Sequence, residues 1–117
     1  MAPGRERGNM ASADDRAGKG AAWLDQDSPG WERAIDLDAL EIMSCTECIL
    51  GQVYAHLTYL EPLDDEGIPT TTGYHIGRER MRVQNLDPYD HGFTASGHQN
   101  RADVEAAWAR AIAPRLS

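Results

Sequence analysis

The chain has 117 residues, a net charge of −8 and a mean hydropathy of −0.55, with 41% hydrophobic residues. That length supports one hydrophobic core rather than two. No apolar run approaches the ~20 residues needed to cross a bilayer, so no membrane association is expected. The charged start has no apolar segment behind it as a secretory signal requires, so the chain is expected in the cytoplasm with reduced thiols.

The charge is unevenly placed. Residues 23–66 hold eleven carboxylates against Arg33 alone, and the parts before and after each carry +1. Binding a phosphate backbone requires a basic face, so nucleic acid is not expected as a general partner. An acidic surface either keeps a small protein soluble or meets a basic protein. Asp25, Asp27, Asp64 and Asp65 are its candidate interaction residues.

Residues 1–20 are rich in Gly, Ala, Ser and charge, which offers too little apolar surface to offset the entropy of ordering. They read as a disordered tail, in which Met10 is an alternative start to Met1. Residues 21–117 read as a single small globular domain. Ser28-Pro29 is a helix-start signal for a short helix to about Ile35, although Gly30 weakens it. Trp23, Leu24, Trp31 and Ile35 supply large core side chains. Asp36 is expected to cap a turn of helix.

Ser44 followed by Glu47 matches a capping box, which predicts a helix from Cys45 to about Leu60, ended by Glu61-Pro62. Cys45, Ile49, Val53, Leu57 and Leu60 share one face. Cys48, Gly51 and Ala55 form a second stripe of small side chains that admits a close neighbour. This Cys-x-x-Cys helix is expected to be central. Residues 64–67 read as a turn, and 80–84 alternate as a short strand would, so the middle holds at most one short β-hairpin. Arg78, Arg80 and Arg82 form a basic cluster that either neutralises the acidic half or meets an acidic partner or a phosphate. From about Asn100 a last helix carries Val104, Trp108, Ala111 and Ile112 on one face and is expected to pack on the cysteine helix. The fold class is mainly α, with β structure a minor part.

The two cysteines allow three chemistries. Paired thiolates at i and i+3 can bind zinc if two further ligands close the site, drawn from His75, His91 and His98 or shared across a dimer. A helix N-terminus favours a thiolate at Cys45, so a redox role is open, although Glu47 between the thiols opposes it. Buried thiols that simply line a helix interface need no ligand. No phosphate-cradling glycine loop, G-x-S-x-G or H-E-x-x-H occurs, so no enzyme is expected and no cofactor is assigned, zinc being the alternative.

Trp23-Leu24-Asp25, Pro29-Gly30-Trp31, Ile35-Asp36 and Cys45-x-x-Cys48-Ile49-Leu50-Gly51-Gln52, followed by Gly92-Phe93 and Ala107-Trp108, resemble a family of small uncharacterised proteins from actinobacteria and their bacteriophages. The resemblance covers residues 21–112 and is most specific in the first half. It implies a phage or prophage accessory product in the cytoplasm of a bacterial host, where it binds a host protein. It implies no established chemistry. The alternative is a zinc-binding or redox-responsive module built on Cys45 and Cys48.

Overall fold

The computed structural model describes residues 12–96 and 98–116, without the side chains of residues 98 and 99. Its fold is mainly helical, as the sequence implies, and within those residues no strand forms. Among the described residues there are four α-helices, α1 (Ala13–Asp27), α2 (Ile49–Val53), α3 (Gly73–Arg82) and α4 (His98–Ile112), with 3-10 turns at Trp31–Ala34, Ala55–Leu60 and Ala113–Leu116.

Order begins earlier than composition implies. Ser12 accepts from the Asp15 N–H at 3.0 Å, and Asp14 and Asp15 favour the positive end of the helix dipole. Residues 13–20 are therefore the first half of α1 and not part of a disordered tail. Ala17, Gly20, Ala21 and Leu24 recur at helical spacing and are buried. α1 ends at Ser28, whose N–H bonds to the Leu24 carbonyl, so Ser28 closes one helix instead of opening the next. Gly30 follows at φ +84, a conformation that glycine adopts without strain, and turns the chain into Trp31–Ala34.

Asp36 closes a local turn, accepting from the Asp38 N–H, and caps no helix. The expected helix from Cys45 is corrected too. Ser44 Oγ does accept from the Glu47 N–H at 3.0 Å, but also from the Thr46 N–H, and the Ser44 N–H goes to the Glu41 carbonyl. The box is half closed. The Cys45 carbonyl accepts from Tyr74 N–H, and the Glu47 carbonyl accepts from Glu41 N–H and the Gln52 side chain. Carbonyls committed to distant partners pull 45–47 into a turn, so regular helix starts only at Ile49 and yields to a 3-10 turn after Tyr54. Ile49, Leu50 and Val53 are buried as expected, whereas Cys45 and Leu60 are exposed.

The alternating stretch 80–84 is not a strand. Thr72 Oγ accepts from His75 N–H and starts α3, whose buried Gly73, Gly77 and Met81 stand four residues apart. Between α2 and α3 only the Leu63–Pro69 bridge stands where a hairpin was expected, around the turn at 64–67. The glycine spacing lets α3 lie directly on α2: a Cβ at Gly73 would sit 2.2 Å from the Gly51 carbonyl oxygen. Gly51 is itself closed in by the Cys45 and Thr46 backbone, which is the close packing expected there.

With α2 short and covered by α3, α4 packs chiefly on α1. Gly20 makes room for Trp108, and a Cβ there would meet the indole at 2.8 Å and the His91 carbonyl at 2.2 Å. Aromatic rings join the two helix pairs: Trp23 touches Tyr54 and Phe93, Phe93 stacks on Trp108 at 5.4 Å, and Trp108 meets Trp31 edge-on at 5.7 Å. The Trp108 N–H donates to the Gly92 carbonyl at 2.6 Å. Among the described residues no helix is long and apolar enough to cross a membrane.

Candidate functional sites: the cysteine turn and the charged surface

Cys45 is exposed and Cys48 is buried, and both thiols are free. Cys48 is the N-cap of α2: its Sγ accepts from the Gly51 N–H at 3.2 Å. Burial pushes the Cys48 thiol up to about 11, against the smaller opposing effect of the Gly51 hydrogen bond. A protonated capping thiol is a poor nucleophile and a poor metal ligand until deprotonated.

The histidines do not gather around the cysteines. His91 is buried, stacked on Phe93, with Nδ1 2.9 Å from the Asp87 carbonyl. His75 is exposed and lines a groove on α3. The His98 side chain lies outside the described residues. Among the described residues no group of three His, Cys, Asp or Glu side chains converges on one point where an ion could sit.

Most of the candidate interaction residues have partners inside the fold. Asp25 accepts from the Trp31 indole at 3.0 Å and pairs with Arg115 through both oxygens. The Arg115 guanidinium, then the indole N–H, hold its carboxyl below the usual carboxylate range. Asp27 accepts from the Tyr54 hydroxyl at 2.5 Å and from Arg80 at 3.2 Å. Arg80 also lies over the Tyr54 ring, Arg78 lies near the Tyr74 ring, and Arg82 pairs with Glu79. Arg80 thus ties the basic cluster to the acidic half. Asp64 holds its own turn, accepting from the N–H groups of Glu66 and Ile68. Asp65 is exposed.

Burial pushes the Tyr54 hydroxyl well above its ordinary range, and the Asp27 carboxylate adds to it. The protonated forms of Cys48 and Tyr54 are thus the ones the fold prefers, so the stability they contribute is complete below their unfolded values and lost as pH rises. For Cys48 that window runs from about 9 to about 11 and amounts to roughly 2–3 kcal/mol. Denaturant titrations between neutrality and about pH 11 should show this fall, and Cys48→Ala should flatten it while leaving the Tyr54 component at higher pH. A thiol reagent should meanwhile label Cys45 in the native protein and reach Cys48 only on unfolding. Equal rates at both positions would contradict the burial of Cys48.

The residues that carry the family resemblance are largely packing residues. Trp23, Trp31, Ile35, Cys48, Ile49, Leu50, Phe93, Ala107 and Trp108 are core. Gln52 joins two loops, accepting from Asp36 N–H at 2.6 Å and donating to the Glu47 carbonyl at 2.8 Å. The C-x-x-C spacing falls where one cysteine caps a helix beneath a close backbone crossing.

One surface stretch is different. Residues 59–68 are all exposed, and they include Tyr59, Leu60, Leu63 and Ile68 together with Glu61, Asp64, Asp65 and Glu66, with no Lys or Arg. Its acids are evident in the sequence and its outward apolar members are not: the helical face expected to bury Leu60 does not extend so far.

Comparison of the chain with family models, curated proteins and solved structures yields no match.

Proposed function

We propose that this chain is a non-enzymatic interaction protein, a phage- or prophage-encoded accessory product that binds a host protein in an actinobacterial cytoplasm. The stretch 59–68 carries this reading. Ten consecutive exposed residues with four carboxylates and four large apolar side chains are an unusual use of surface, because exposed apolar clusters rimmed by polar groups mark binding surfaces. Their chemistry fits a partner with apolar sockets framed by Lys and Arg. The phage and actinobacterial provenance rests on the residue pattern shared with that family.

Asp25 and Asp27 are poor positions for a charge-reversal test because the fold uses both. Asp65 and Glu66 are exposed and have no side-chain bond among the described residues. Affinity capture from an actinobacterial lysate should recover one partner whose retention falls as salt rises. A Leu60→Ser, Asp65→Lys, Glu66→Lys variant should retain its thermal transition and lose that partner by about tenfold or more. Undiminished capture by the folded variant would refute the reading.

A further inference from the structure

Beside this stretch, the outer face of α3 forms a groove of ≈ 440 Å³ lined by Glu61 and Thr71 and, along the helix, by His75, Ile76, Glu79, Arg80 and Val83. Ile76, Arg80 and Val83 stand at i, i+4 and i+7, which is one helical stripe. Ile76 is half-buried, whereas Val83 is 68% exposed and Leu60, next to Glu61 in the chain, is 78% exposed. The charges along the groove are mostly spoken for. Glu79 pairs with Arg82, and Arg80 is held by Asp27 and the Tyr54 ring. Of these wall charges, Glu61 alone has no ion pair or hydrogen bond among the described residues.

Two apolar side chains beside one uncommitted carboxylate, continuous with an acidic stretch and with the Arg80 charge met by Asp27, favour a cation on an aliphatic stem. We propose that the groove seats a basic amphipathic helix of the partner protein, an aliphatic side chain resting on Ile76 and Val83 while a Lys or Arg one turn away pairs with Glu61. The helix lies along the i, i+4, i+7 stripe, the arrangement by which ridges of one helix enter the grooves of another. The proposal rests on the protein-binding reading above and adds to it the place and the class of the bound segment.

The test is a titration of the isotope-labelled chain with a synthetic Lys/Leu amphipathic peptide of about four helical turns, set against the same peptide with Glu in place of Lys, followed by amide shifts. The basic peptide should move the resonances of Glu61, Ile76 and Val83, with binding weakened by added salt, and the acidic peptide should not. Glu61→Lys and Val83→Ser, both at exposed positions, should each weaken binding about fivefold or more. The groove is overturned if shifts map elsewhere, if both peptides bind alike, if the two variants bind like wild type, or if nothing moves at about 1 mM peptide, a concentration that detects even weak docking. Lysate capture separates the two ideas. A partner lost with the Leu60/Asp65/Glu66 variant but retained by Glu61→Lys and Val83→Ser would leave the binding function standing and remove the groove from it.

Discussion

Gly73→Ala is expected to lower the stability of this protein by about 3 kcal/mol or more, seen as a fall of roughly 10–20 °C in the thermal midpoint. The added Cβ would stand 2.2 Å from the Gly51 carbonyl oxygen, 2.8 Å from its carbonyl carbon and 2.9 Å from its Cα. All three are backbone atoms of α2, so no side chain can swing aside. α2 and α3 would have to separate, opening the contact that buries Leu50 and Tyr54 against Gly77 and straining the Tyr74 N–H bond to the Cys45 carbonyl. Gly18→Ala makes the matched control. Gly18 lies within α1 with nothing within 4 Å of its would-be Cβ, so alanine there should raise stability by about 0.5–1 kcal/mol through helix propensity. Equal and small effects at both glycines would mean that α2 and α3 do not cross as closely as described.

Trp108→Ala should cost about 4–5 kcal/mol, a large part of the 5–15 kcal/mol that typically holds a domain folded. Trp108 is fully buried, stacks on Phe93, meets Trp31 and fills the space that Gly20 leaves in α1. Its removal would vacate the centre of the α1–α4 interface and orphan the Gly92 carbonyl, which accepts from its N–H. Trp108→Phe retains much of the apolar surface and loses that hydrogen bond, so its cost should be nearer 1–3 kcal/mol. Chemical denaturation of the two variants gives the ordering. A Phe variant as damaged as the Ala variant would assign the effect to the hydrogen bond instead of to packing.

Both positions show where the sequence could be read and where it could not. The α4 stripe was legible because Val104, Trp108 and Ile112 are large and recur with the helical period. α1 was obscured because its buried face is Ala17, Gly20 and Ala21, residues whose small size makes them resemble a linker until the tryptophan that needs the room is placed 88 residues further on. α3 was misread for a related reason: Gly73 and Gly77 look like breakers along the chain and serve as a docking face across it. The cysteine turn was legible in its chemistry and not in its extent. Ser44 does accept from Glu47 N–H, yet the carbonyls that would have extended the helix back to Cys45 are held by Tyr74, Glu41 and Gln52.

By itself, the amino-acid sequence determined a mainly helical chain, with its three tryptophans inside and its acidity concentrated between residues 23 and 66. Those properties follow from local periodicity and composition, which act over a few residues. Tertiary structure alone decided which charges are committed and which are available. It drew Asp25, Asp27 and Arg80 into pairs within the fold, made Cys48 a helix cap, and left residues 59–68 with their leucines and carboxylates outward. The reason is that pairing and exposure depend on neighbours distant in sequence, brought close where glycines let backbones meet.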